Sequence, residues 1–269
     1  MTARADPWAR WFPGPPVPAE AETILFCLPN AGGGAAPYLA WQRLLPPRLW
    51  AQPVQLPGRE NRIGEPSAFD AGELAEGLAR RADRPFALYG HSMGGVLACE
   101  AARVLLARGA PAPRRLYLGA SHPPHLPCEW VRRWRALPDD ALLAEVARLG
   151  GIPREVLGHG VIRRRLTTVL RSDLDWLAAR PTTVPAPLPV PVVAVAGSDD
   201  PLAGPSVMPH WAPVTSAGLT VHTVRGGHLF HTEDPGALVA LILADLLVGP
   251  TGPTRTSPEG DRHGADARG

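Results

Sequence analysis

A serine sits between paired glycines in Gly90-His91-Ser92-Met93-Gly94-Gly95, preceded by the apolar run Phe86-Ala87-Leu88-Tyr89 and followed by helical spacing from Val96 to Arg108 that stops at Gly109. A strand that turns at once into a helix on a G-x-S-x-G sequence presents its serine Oγ at strained dihedrals, the geometry that exposes a nucleophile. Gly90 and Gly94 are required there because a Cβ at either position would strike the neighbouring backbone. The helix also aims its first amides at the same point, which makes the Met93 N–H a candidate donor to an oxyanion. A chain with 28 glycines can carry such a spacing by chance. The strand before it and the helix after it separate this one from chance.

A serine nucleophile needs a base, and the base needs an acid to orient it. After an elbow of this kind they follow in the order acid, then histidine, each on a loop beyond a later strand. The β-branched run Pro191 to Ala196 ends in Gly197-Ser198-Asp199-Asp200-Pro201, and the alternating segment Leu219 to Val224 opens into Arg225-Gly226-Gly227-His228, whose glycines let an imidazole reach the serine. These spacings predict a triad of Ser92, Asp200 and His228. Asp199 is the rival acid; Asp200 is preferred because Pro201 fixes the turn directly behind it. The other place for an acid, after Arg115 to Ala120, holds Ser121-His122 and no carboxylate. His222 falls inside a strand pattern and His231 beyond the glycine loop, and most of the nine histidines are read as solvated surface. The second oxyanion donor should come from the loop after an earlier strand, and Thr23 to Leu28 runs into Pro29-Asn30-Ala31-Gly32-Gly33-Gly34. The Ala31 N–H is assigned to that role beside Met93. A phosphate loop is excluded, since no Lys-Ser/Thr follows and the chain contains no lysine.

With these residues in hand, the chain resembles the type II thioesterases of the α/β-hydrolase superfamily, the discrete editing enzymes of polyketide synthase and nonribosomal peptide synthetase systems. The resemblance spans about residues 8 to 248. It rests on Leu28 to Gly33, Gln55-Leu56-Pro57-Gly58-Arg59-Glu60-Asn61-Arg62, Gly90 to Gly95, Gly197 to Pro201 and Gly226-Gly227-His228-Leu229-Phe230, in that order. The arginine-bearing loop is its most specific part; mechanically, a tight turn with an Arg–Glu surface pair would also account for it. Asn30 departs from the pattern, which commonly has histidine there, so any side-chain role of that histidine is in doubt while the Ala31 amide survives. The resemblance implies an α/β fold with a mostly parallel central sheet flanked by helices and a helical lid inserted after the sixth strand. It also implies a serine thioesterase that frees acyl groups from the phosphopantetheine arm of an acyl carrier protein or peptidyl carrier protein. No metal or organic cofactor is called for, since the phosphopantetheine belongs to the partner. A small-molecule esterase would share every catalytic residue, and a non-catalytic carrier-binding protein would not need them. A macrocyclising terminal thioesterase would be fused behind a carrier domain, whereas Met1 and Asp6-Pro7-Trp8 are typical of the discrete form.

The remaining sequence supplies the elements that must hold these residues. One catalytic domain over 1–249 is expected, and 45% hydrophobic residues are enough for its core. An insertion over about 121–190 interrupts the strand–helix alternation. It contains a capped amphipathic helix from Pro138 to Leu149 and a second helical run from Val161 to Leu177, and it reads as a lid whose apolar faces line an acyl channel. Arg132-Arg133-Trp134-Arg135 and Arg163-Arg164-Arg165 are either a solvated face or a docking face for an acidic carrier protein. A last helix runs from Pro235 to Val248, and residues 250–269, polar and without large apolar side chains, are expected to be disordered. No apolar stretch approaches 18 residues and no leader precedes the domain, so neither a membrane span nor secretion is expected. Three cysteines without metal spacing suit a reducing cytoplasm. All 27 basic residues are arginines, a bias that suggests a GC-rich bacterial source, and a net charge of +2 argues against nucleic acid as a partner. The chain is expected to act as a monomer.

Overall fold

Six apolar runs form one parallel sheet, and the computed structural model describes residues 8–152 and 158–248 of the chain. The strands are β1 (Thr23–Leu28), β2 (Leu49–Pro53), β3 (Phe86–His91), β4 (Leu116–Gly119), β5 (Val192–Gly197) and β6 (Leu219–Val224), in the order β2-β1-β3-β4-β5-β6. Every residue of β3, β4 and β5 is buried, because crossover helices cover both faces of a parallel sheet. Alternation along β1 divides the core. Ile24, Phe26 and Leu28 pack under the helices Ala71–Arg81 and Met93–Ala107, while Leu25 and Cys27 meet Tyr38, Trp41 and the helix Pro235–Val248 on the other face. β6 is one of the two edge strands, opposite β2, and its side chains are largely exposed, His222 among them.

The chain leaves β1 for the β2 edge and then returns to place β3 on the other side of β1. Such a reversal opens a crevice beyond the carboxyl ends of the two central strands, where α/β sheets bind ligands. The loop Pro29 to Gly34 and Ser92 lie at those two ends.

The expected insertion is present between β4 and β5. Counted along the described residues it follows the fourth strand and not the sixth. Residues 8–22 form turns and loops that bury Trp11 and Phe12, with Phe12 5.5 Å from Phe26 between ring centres, and among the described residues no strand precedes β1. The insertion carries the helices Glu129–Ala136, Asp139–Arg148 and Gly160–Ala178. Their apolar stripes close on one another through Val131, Trp134, Leu142, Leu170 and Leu174, and this cluster meets the body of the protein at Ala31 and Leu202. The lid therefore rests on the loops that carry the predicted site. The anticipated tail, 250–269, and Asp6-Pro7 lie outside the described residues. Among the described residues no helix is long and apolar enough to cross a membrane.

Candidate active site

Ser92 stands between β3 and the helix Met93–Ala107 with φ 53° and ψ −113°, a conformation that L-residues adopt only under constraint. The constraint is visible on every side. The Ser92 N–H donates to the Gly119 carbonyl at 2.8 Å, the Ser121 hydroxyl donates to the Ser92 carbonyl at 2.7 Å, and the Gly95 N–H bonds that same carbonyl at 3.0 Å. A Cβ on Gly90 would overlap the Gly94 carbonyl, and one on Gly94 would lie 2.5 Å from the Leu28 carbonyl oxygen. Glycine at both positions is what lets the elbow press against the end of β1.

His228 Nε2 lies 3.0 Å from Ser92 Oγ, and His228 Nδ1 lies 2.9 Å from each oxygen of Asp200. Asp200 Oδ1 also accepts the N–H groups of Leu202 and Ala203 at 2.8 and 3.1 Å, so the turn after β5 aims the carboxylate before the histidine meets it. All three side chains are at least nine-tenths buried. Burial by itself would raise the Asp200 carboxyl, but the hydrogen bond and charge of His228 and the two backbone donors outweigh it and hold the group below the usual carboxylate range. Asp199 points elsewhere: it is exposed and accepts the Ser198 hydroxyl at 2.7 Å. Of the two adjacent acids, the structure brings Asp200 to the histidine.

Most of the nine histidines are expected at the surface, but His91 and His231 are core residues. His91 is completely buried, with Nδ1 2.6 Å from the Tyr89 hydroxyl and Nε2 2.7 Å from the His228 carbonyl. A carbonyl can only accept, so Nε2 carries the proton and Tyr89 donates to Nδ1; a neutral His91 thereby anchors the backbone of His228. His231 stacks on His91 with ring centres 3.6 Å apart. Burial pushes His91 well below the usual imidazole value and His231 down to about 3, with the neighbouring histidines adding to the effect. The consequence for stability has a definite sign. Both groups stay neutral in the fold while the unfolded chain protonates near pH 6.5, so their contribution is complete above pH 6.5 and is lost as pH falls below it. Between pH 6 and 4, urea unfolding should show stability declining as pH falls, by up to about 1.4 kcal/mol per pH unit from a group such as His231 that stays neutral throughout, and His231→Gln should make that decline shallower. A slope unchanged in the variant would assign the acid sensitivity to other groups.

Ser92 opens on a cavity of about 270 Å³ lined by Met93, Val96, Leu126, Cys128 and Leu177, with Arg180 among its polar residues. A much narrower space joins Ser92 and His228 to Asn30, Ala31, Trp130 and Trp134. The lid supplies the roof here: the Trp130 ring centre is 6.5 Å from that of His228 and 5.2 Å from that of Trp134. Ala31 and Met93 thus flank the serine, Met93 as the first residue of a helix whose initial N–H groups have no intrahelical acceptor. Asn30 uses Nδ2 to donate to the Ala31 carbonyl at 3.1 Å. Among the described residues no group of three or more His, Cys, Asp or Glu side chains is placed to hold a metal.

The arginine-bearing loop departs from the surface pair that its sequence suggests. Arg59 is buried and forms two 2.8 Å hydrogen bonds with Asp173, a fully buried carboxylate on the lid helix Gly160–Ala178. Arg62 pairs with Glu65 rather than Glu60 and stacks over Trp11. The arginine clusters of the lid are exposed and form local pairs, Arg132 with Glu129, Arg135 with Asp175 and Arg163 with Asp140.

A serine at a strained elbow, a histidine within hydrogen-bond reach and a buried aspartate behind it, set on a parallel sheet under a helical lid, define a serine hydrolase of the α/β class. The thioesterase domain model matches residues 23–246, and the chain belongs to that family. It is 36% identical over 245 residues to a Brevibacillus parabrevis protein named linear gramicidin dehydrogenase LgrE, covering 88% of this chain and 93% of that one. It is 34% identical over 258 residues to the thioesterase PikA5 of Streptomyces venezuelae, covering 94% and 88%. Among solved structures, the RedJ thioesterase of the prodiginine pathway of Streptomyces coelicolor superposes with a TM-score of 0.75 at 35% identity, over 86% of this chain and 92% of that one.

Proposed function

We propose that this thioesterase hydrolyses acyl groups from the phosphopantetheine arm of acyl or peptidyl carrier proteins, clearing stalled or wrong units from a polyketide or nonribosomal peptide assembly line. The observation that carries the reading is the Ser92–His228–Asp200 hydrogen-bonded line facing a lidded apolar cavity. Kinship with PikA5 and RedJ supports the choice of thioester and of pathway. LgrE carries the name of a dehydrogenase, but hydride transfer has no use for a strained serine bonded to a histidine, so hydrolysis is the reading taken.

His228 takes the proton of Ser92 as Oγ attacks the thioester carbonyl, Asp200 holds the imidazolium that forms, and the N–H groups of Ala31 and Met93 receive the oxyanion. The tetrahedral intermediate collapses, His228 protonates the departing pantetheine thiolate, and an acyl-serine remains. Water activated by the same histidine then releases the free acid. No cofactor or metal enters any step. The exposed arginines of the lid suit an acidic carrier protein, and the site of action is taken to be the cytoplasm, with the chain working as a monomer.

The discriminating experiment compares acyl-pantetheine thioesters with oxygen esters of equal acyl length. The thioesters should be turned over with a kcat/KM at least tenfold higher. Preference for the oxygen esters would replace this reading with that of a small-molecule esterase.

A further inference from the structure

The loop Gln55 to Arg62 takes no part in the steps above, yet it grips the segment from Gly33 to Ala36 at successive points. Gln55 Oε1 accepts the Ala35 N–H at 3.0 Å, and Glu60 Oε1 accepts the Ala36 N–H at 3.1 Å. Arg59 Nη1 donates to the Gly33 carbonyl at 3.1 Å while also holding Asp173, and Asp173 Oδ2 accepts the Gly32 N–H at 2.7 Å. The Ala31–Gly32 peptide is therefore fixed at both polar ends, by Asp173 on its N–H and by Asn30 Nδ2 on its carbonyl.

Stability alone is a weak reason for this arrangement. Two charges removed from water lose about as much solvation as their attraction restores, and well-packed apolar residues commonly serve as well. An apolar pair, however, could not accept the Gly32 amide. Asp173 also belongs to the lid helix, 141 residues along the chain from Gly32. One carboxylate thus bonds the loop that carries the Ala31 oxyanion donor and the arginine that fastens that loop from the other side.

We infer that Asp173, held by Arg59, is a positioning residue for the oxyanion loop, and that it couples docking of the lid helix to the orientation of the Ala31 amide. The inference rests on the hydrolytic reading of Ser92, but its test also reads a reaction that needs no thioester. The double variant Arg59→Met/Asp173→Leu removes both charges together and deprives Gly32 of its acceptor. Arg59→Met/Asp173→Asn removes the charges but keeps an amide oxygen for Gly32. Each is assayed for Tm, for kcat and KM on acyl-pantetheine, and for the rate of Ser92 labelling by a fluorophosphonate, whose phosphoryl oxygen draws on the same donors. Loss of one oxyanion donor typically slows catalysis by about 10² to 10³. The Leu variant should keep a Tm within a few degrees of the parent, lose about 10² in kcat with KM changed less than threefold, and label more slowly in parallel, while the Asn variant regains most of both rates. A folded Leu variant with parental kcat and labelling rate overturns the inference, as does an Asn variant no faster than the Leu one. If either double variant fails to fold, Arg59→Lys decides, since it keeps a charge beside Asp173 but cannot hold both oxygens. A kcat about tenfold lower at unchanged KM supports the coupling, and an unchanged kcat overturns it. A parent that labels at Ser92 but does not turn over thioesters would refute the substrate assignment and leave the labelling comparison intact as the test.

Discussion

Ser92→Ala is expected to lower kcat for thioester hydrolysis by about 10⁵ to 10⁶-fold while leaving the folded structure intact, the scale seen when a triad nucleophile is removed. The effect is this large because neither the Ser121 hydroxyl nor the Cys128 thiol can take over. The Ser121 hydroxyl is fully buried and spends its proton on the Ser92 carbonyl. Cys128, on the cavity wall, has its thiol pushed up to about 11 by burial, which keeps it a poor nucleophile at neutral pH. Structural cost should be small, since what constrains the elbow is backbone: the Ser92 N–H and carbonyl keep their partners when Oγ is lost. The check is single-turnover hydrolysis of an acyl-pantetheine by a variant whose circular dichroism and Tm match the parent. Retention of more than about a thousandth of the parental rate would mean that Ser92 is not the nucleophile.

The elbow was legible in sequence because its constraints are local. Gly90 and Gly94 are dictated by contacts with neighbours four residues apart or at the end of β1, and both flanking elements follow without interruption. The histidine and acid were legible because each ends a strand whose apolar pattern is plain. β2 was not, since Leu49-Trp50-Ala51-Gln52-Pro53 has no β-branched run and carries a buried glutamine and a terminal proline. The helix Glu129–Ala136 was hidden by its arginines, which drew attention to charge when the buried faces of Val131 and Trp134 are what fix it to the lid.

Arg59 owes its burial to a contact that lies far away along the chain. Its motif stands out in the sequence, and so does the helical run Val161 to Leu177 that carries its partner, but the two residues lie 114 positions apart and no local spacing relates them. Burial cannot be inferred from residue type either, because arginine and aspartate are ordinarily exposed unless paired. The histidines follow the same logic. His91 and His231 look solvated by composition, yet a neutral imidazole stacked on another ring is apolar enough for the core, and only the fold brings those rings to 3.6 Å. The contacts that set the site's rigidity are long-range, whereas the residues placed to react belong to local motifs.

Asp200→Asn should cost about 10⁴ in kcat, against a change of less than threefold for Asp199→Asn. The two carboxylates are chain neighbours of identical chemistry, so the contrast isolates geometry. Asp200 meets His228 Nδ1 with both oxygens and is itself held by the amides of Leu202 and Ala203, whereas Asp199 faces solvent beside Ser198. An asparagine at 200 keeps the size of the side chain but loses the charge that stabilises the imidazolium, and it can present its NH₂ to Nδ1, which drives the proton onto Nε2 and leaves no base facing Ser92. The loss should fall on kcat and not on KM, because the carboxylate touches no part of the substrate. It should also shrink at high pH if hydroxide replaces the histidine as the base. Measuring kcat and KM for both variants from pH 6 to 10 tests this. Comparable losses from the two substitutions would mean that the loop after β5 matters for its packing, and the larger loss at Asp199 would move the acid one residue back along the chain.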